Sequence, residues 1–231
     1  MLRLFIAVDL PTELRPVIAC LCQGIGGARW TRPEQLHITL RFLGDTAEDR
    51  LADVRAGLRE VRTPRFELAL RGTGVFPPPD GRKPARVLWL GLDPPEPLRA
   101  LKHVVDDVLA WLGPDSETAN RGFSPHLTLA RFATRPHQDL NRFLAEHRGF
   151  DGGRFVASSF HLYRSTLRPE GALHEIVESY PLLVPPLEDS WLVERPSVGT
   201  GYRRAPVSTF DIRSLPTHLR SRYSCPSIEL V

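Results

Sequence analysis

Two stretches decide how this chain folds: Leu36-His37-Ile38-Thr39-Leu40, and its echo Pro125-His126-Leu127-Thr128-Leu129. Each is a short apolar run interrupted by one His and one Thr two residues apart. Side chains alternate across a β-strand, so His37 and Thr39 share one face while Leu36, Ile38, Leu40 and Phe42 share the other. His126 and Thr128 are set against Leu127 and Leu129 in the same way. A single His on a half-buried strand is more often a hydrogen-bonded structural residue than a catalyst. Two copies in matching strand contexts, one in each half of the patterned region, point instead to two half-sites facing one cleft.

The flanking residues extend the comparison. In a regular strand Arg41 falls on the face of His37. Arg131 falls on the face opposite His126, and only a bulge or twist would bring it round. The chain is 42% hydrophobic and 25% charged with a net charge of +3, which is the composition of a soluble globular protein. Its basic side is almost all Arg, with Lys only at positions 83 and 102. That excess is assigned to base-composition bias, so only arginines placed at the motifs count, where the planar guanidinium suits phosphate. Cys20, Cys22 and Cys225 make an odd number, and the first two are too close for an easy bridge. A reduced, cytoplasmic setting is expected. No apolar run is long enough to span a bilayer, so no membrane partner is expected. There is no zinc-type Cys/His spacing and no phosphate loop of the G-x-x-x-x-G-K kind.

Taken in order, Leu4 to Val8 reads as a buried strand, and Pro11 opens a helix to about Cys22. The first His strand follows Trp30, and a helix runs from Asp45 or Thr46 through Arg59. Phe66 to Leu70 alternates as a strand. Gly72 to Pro84 reads as a Gly- and Pro-rich loop with an Asp80-Gly81 turn, and Phe76 within it is a candidate base-stacking ring or a surface aromatic. Arg86 to Leu92 is a strand and about Leu98 to Leu112 a helix. After a polar loop from Gly113 to Phe123 comes the second His strand, ended by Arg135-Pro136. A helix from about Gln138 to His147, then the stretch Gly149 to Gly153 and a strand from Phe155 to Tyr163 follow. A Pro169-Glu170-Gly171 turn leads to a last strand, Leu173 to about Tyr180. The expectation is an α+β protein of two similar lobes, each an antiparallel-rich sheet with helices outside, occupying residues 1–187. Residues 188–231 lose the pattern and read as a poorly ordered tail; Arg203-Arg204 in it could touch nucleic acid.

Two imidazoles across a cleft suit paired acid and base work near neutral pH, and nearby Thr hydroxyls can bind the non-bridging oxygens of a phosphodiester. No metal or other cofactor is required. The paired H-x-T-L motifs, with Leu2–Pro11, Glu34–Asp45 and Phe123–Arg131, closely resemble the 2H phosphoesterase superfamily, in particular the RNA 2′,3′-cyclic phosphodiesterases historically named 2′-5′ RNA ligases. The resemblance covers about residues 1–185. It implies a pseudo-twofold bilobal fold with both motifs in the central cleft, and hydrolysis of a terminal 2′,3′-cyclic phosphate to a 2′-phosphate. It makes His37 the general acid, His126 the general base, and Thr39 and Thr128 the phosphate-binding residues. Arg41, Arg131 and Phe76 are further candidate substrate contacts. His174 departs from the pattern: many relatives carry an aromatic residue there, and the expected consequence is confined to lobe packing. Expected partners are RNA ends such as tRNA fragments, or small cyclic nucleotides, with the protein a monomer. The reverse reaction, a 2′-5′ ligation, and a non-catalytic RNA-end-binding module are the alternatives.

Overall fold

The protein was studied as a computed structural model that describes residues 1–78, 83–115, 122–133, 139–168 and 171–184. By its internal contacts the chain divides between Leu183 and Val184, and everything below belongs to Met1–Leu183. The Asp80-Gly81 turn, the Arg135-Pro136 strand end, the Pro169-Glu170 turn, and residues 188–231 with Arg203-Arg204 lie outside the described residues.

The elements run β1 (Leu2–Asp9), α1 (Arg15–Ala19), β2 (Ala28–Trp30), β3 (His37–Thr46), α2 (Leu51–Arg59), β4 (Phe66–Phe76), β5 (Val87–Asp93), α3 (Glu96–Val108), β6 (His126–Phe132), α4 (Asp139–Glu146), β7 (Asp151–Ala157), β8 (Ser159–Arg168) and β9 (Gly171–Pro181). They form an α+β protein with two antiparallel sheets. One has the order β3-β1-β8-β9, the other β2-β6-β5-β4-β7. In each, a His strand is followed outward by three antiparallel partners: β1, β8, β9 beside β3, and β5, β4, β7 beside β6. The sheets are not consecutive in sequence, since the C-terminal β8 and β9 join the N-terminal β1 and β3.

The first sheet is anchored by a continuous apolar run in β1. Leu4 to Val8 is buried throughout because β1 lies between β3 and β8. Ile38 and Leu40, and Leu127 and Leu129, are at most 1% exposed. Burying such side chains stabilises the fold by about 1.5–3 kcal/mol each. The helix α3 begins at a proline-rich start and buries Leu98, Leu101 and Val105, residues at helical spacing, as it packs on β3 and α2.

Five sequence expectations need correction. The helix expected from Asp45 or Thr46 begins at Leu51, because those two residues continue β3 opposite Arg3 and Leu2. The segment Gly72–Phe76 is not loop but the second half of β4. Gly72 takes φ +65°, absorbs a register shift between Arg71 and Thr73, and lets pairing with β5 resume. The strand expected from Phe155 starts at Asp151, within the stretch Gly149 to Gly153. The run Phe155–Tyr163 is two strands, because the chain passes from one sheet to the other at Ser158. The first helix stops at Ala19 after a one-turn 3-10 segment, and Leu21 N–H then reaches back only three residues, to Ile18 O at 2.9 Å.

Candidate active site

The two motif strands share a local device. In β3, Ala7 pairs with Thr39 but Ile6 pairs with Arg41, so Leu40 is an extra residue. In β6, Trp89 pairs with Thr128 but Leu88 pairs with Ala130, so Leu129 is extra. Both bulges fall directly after the Thr. A bulge sets two residues of one strand against one of its partner, which reverses the side-chain alternation beyond it. Leu40 and Arg41 are consecutively buried, as are Leu129 and Ala130. The face bearing His37 and Thr39 therefore continues with Phe42, and the face bearing His126 and Thr128 continues with Arg131.

This settles the two arginines in opposite ways. Arg131 comes round to the His126 face through the bulge that regular parity lacked. Arg41 is turned away. Its side chain is 3% exposed, donating to Asp106 Oδ1 at 3.1 Å and Gly113 O at 2.6 Å. It fastens β3 to the C-terminal end of α3, and it is corrected here from substrate contact to structural residue.

Both imidazoles are held by the same hydrogen bond. His37 Nδ1 lies 2.7 Å from Gln35 O, and His126 Nδ1 lies 2.9 Å from Ser124 O, in each case the carbonyl two residues upstream. A carbonyl can only accept, so Nδ1 carries the proton and Nε2 is left to react. Burial pushes the His37 imidazole down to about 4; the Gln35 carbonyl and Asp9 oppose that, while His174 and Arg131 add to it. His126 is pushed down by burial and by Arg131, against the Ser124 carbonyl. His174 is lowered by burial and by Arg131. One guanidinium on β6 thus acts on imidazoles of β6, β3 and β9. The strands β3 and β6 also pack against each other, so the two half-sites converge across the sheets.

Around His37 lies an aromatic cluster. Phe5 stacks on Tyr163 at 5.0 Å and meets His37 at 5.0 Å, with Phe42 at 6.0 Å from Phe5. Tyr163 donates to Asp9 Oδ1 at 2.5 Å, and Asp9 is the cross-strand partner of His37. On the other side Phe76 stands edge-on to His126 at 5.0 Å and lies 5.3 Å from Trp89, which pairs with Thr128. A Cβ on Gly74 would fall 2.2 Å from Trp89 Cζ2, so only glycine leaves room for that ring. Phe76 is therefore beside the motif rather than in a surface loop. Thr39 and Thr128 are half-buried on the motif faces.

His174, which no motif marks, also lies beside His37. Its ring lies 5.3 Å from His37 and 4.9 Å from Phe5, and it lowers the proton affinity of His37, so its consequence goes beyond packing. It lacks a Thr two residues on, and nothing local marks it. Among the described residues no group of three or more His, Cys, Asp or Glu is gathered so as to hold a metal ion.

The family model described as the 2′-5′ RNA ligase superfamily matches residues 11–168. A Methanothermobacter thermautotrophicus protein named RNA 2′,3′-cyclic phosphodiesterase is 32% identical, covering 78% of this chain and 98% of its own length. An Archaeoglobus fulgidus protein of the same name is 30% identical over 75% of this chain and 97% of its own. The crystal structure of E. coli LigT complexed with 3′-AMP is 27% identical, with a TM-score of 0.61 over 78% of this chain and 98% of that one.

Proposed function

This chain belongs to the 2′-5′ RNA ligase superfamily, and we propose that it is a phosphodiesterase that opens a terminal 2′,3′-cyclic phosphate of RNA to a 2′-phosphate. The observation that supports this most is the pair of imidazoles on two sheets, each with Nδ1 pinned and Nε2 free, under the influence of one guanidinium.

In this mechanism His126 Nε2 takes a proton from water as its oxygen attacks phosphorus. The bond from phosphorus to O3′ breaks, and His37 Nε2–H gives its proton to the departing oxygen. Thr39, Thr128 and Arg131 hold the non-bridging oxygens and their developing charge. The two roles are those that the family resemblance implies. Burial lowers both rings, His37 to about 4, and Asp9 is the carboxylate that partly offsets this at His37. Burial keeps both rings neutral near pH 7, which suits the base. The anionic phosphodiester supplies the charge that lets His37 take up its proton. Both proton transfers are made by imidazoles, so the reaction is independent of metal and is expected to proceed unchanged in EDTA.

One chain contributes both half-sites, which supports a monomer acting on cyclic-ended RNA fragments or small cyclic nucleotides. Among the described residues no helix is long and apolar enough to cross a membrane, and the cysteine usage supports a cytoplasmic setting. The test is turnover of a 2′,3′-cyclic nucleotide by His37→Ala and His126→Ala. Each is expected to lose about 10²–10⁴-fold in kcat with the fold intact. Full activity in either variant would end this reading.

A further inference from the structure

The two imidazoles are framed alike but not identically. Phe76 stands edge-on to His126, with the rings at 82° and 5.0 Å. His174 stands edge-on to His37, at 88° and 5.3 Å. One framing ring is hydrocarbon; the other carries two nitrogens. Gln35 ties the His37 side together: its carbonyl binds His37 Nδ1, and its side-chain amide donates to Ala172 O, two residues before His174 on β9.

His174 Nδ1 is buried with no hydrogen-bond partner among the described residues. A charged imidazolium would carry a proton there and leave a buried charged donor unpaired, which is costly. The charged group that acts on this ring is Arg131 on β6, and together with burial it opposes a positive charge there. A neutral imidazole with a bare Nδ1 carries its one proton on Nε2.

We propose that His174 is a substrate-binding residue: its neutral Nε2–H donates a hydrogen bond to an oxygen of the cyclic phosphate on the side from which the 3′ oxygen departs. This rests on the phosphodiesterase reading above and adds to it a third imidazole with a different task. His37 presents a nitrogen that gains and loses a proton. His174 presents one that only donates. Because it stays neutral, it grips the anion without competing with His37 for the proton that the leaving group needs. A phenyl ring in its place keeps the edge-on packing against His37 and loses the donor.

The test uses the full chain with 15N-labelled histidine, and 2′,3′-cyclic AMP as substrate. Long-range 15N NMR is expected to show His174 neutral and protonated at Nε2 from pH 5.5 to 8, with His37 and His126 protonated at Nδ1. His174→Phe is expected to raise KM roughly tenfold, the scale of one hydrogen bond to a charged group, and to leave kcat within about twofold. His174→Gln, whose amide N–H can replace Nε2–H, is expected to restore KM to within about threefold of wild type. A His174 protonated at Nδ1 or titrating to the cation in this range overturns the proposal. So does a Phe variant with wild-type KM, or a Gln variant no better than Phe. If wild type fails to turn over the substrate, the phosphodiesterase reading falls. Inorganic phosphate binding then decides the donor role: it stands if His174→Phe binds phosphate roughly tenfold more weakly, and falls if affinity is unchanged.

Discussion

Arg41 and Arg131 occupy neighbouring positions of the two motif strands, four and five residues after the His, yet the bulges give them opposite tasks. Replacing each by Met, which keeps the length of the stem, separates those tasks. Arg41 is 3% exposed and pairs with Asp106, which is 35% exposed and keeps Lys102 as a partner at 3.0 Å when Arg41 is lost. Breaking a buried pair costs about 3–5 kcal/mol, and the exposure of Asp106 with its remaining Lys102 partner places this one near the lower end. At about 2–4 °C per kcal/mol for a chain of this size, Arg41→Met is expected to lower Tm by roughly 6–12 °C. KM for a 2′,3′-cyclic nucleotide should stay within about twofold, since none of the Arg41 hydrogen bonds reaches the motif face. Arg131 is exposed on that face. Removing its charge-assisted bond to phosphate is expected to cost about 1.5–3 kcal/mol of binding, or roughly 10- to 150-fold in KM, with Tm shifted by less than about 2 °C. Its loss should also raise the proton affinities of His37, His126 and His174 together, because its charge lowers all three. Differential scanning calorimetry, steady-state kinetics and a histidine NMR titration read the three effects. The bulge argument is refuted if Arg41→Met impairs KM while leaving stability unchanged, or if Arg131→Met leaves both KM and the histidine titrations as they were.

Two further perturbations test the surroundings of the imidazoles. In the free protein His37 is held down to about 4, so it is neutral at pH 6. Saturation with dimethyl phosphate, a diester anion of constant charge, favours the charged form and should raise that value, so His37 NMR shifts at pH 6 should move toward the imidazolium position. Absence of proton uptake on binding would contradict the acid role. Gly74→Ala would place a methyl group 2.2 Å from Trp89 Cζ2. Moving that ring from beside Thr128 is expected to cost about 1–3 kcal/mol of stability and to lower kcat/KM, and wild-type values for both would show that the close approach is unimportant.

Much of the site was legible because strand alternation is a local rule. His37 with Thr39 and His126 with Thr128 needed only a period of two, and the apolar faces of both strands followed. What alternation could not show was where it breaks. The bulges at Leu40 and Leu129 are set by pairing with β1 and β5, partners distant in sequence, so Arg41 and Arg131 exchanged faces without any change of residue type. Glycine misled for a related reason: Gly72 and Gly74 look like turn residues, but they serve a bulge and the Trp89 ring inside β4. At Ser158 the buried apolar positions shift from Phe155 and Ala157 to Phe160 and Leu162, a change of parity that no Gly or Pro marks, so two strands read as one. His174 stands apart from any motif and meets His37 only because β9 returns alongside β8, which no short window of sequence contains.

The most direct measurement is the product formed from an oligonucleotide ending in a 2′,3′-cyclic phosphate, followed by phosphorus NMR in the presence of EDTA. Two imidazoles working on opposite sides of one phosphorus, with His37 serving the 3′ oxygen, should yield the 2′-phosphate alone. A 3′-phosphate, a mixture of the two, or an unchanged cyclic end would contradict that arrangement.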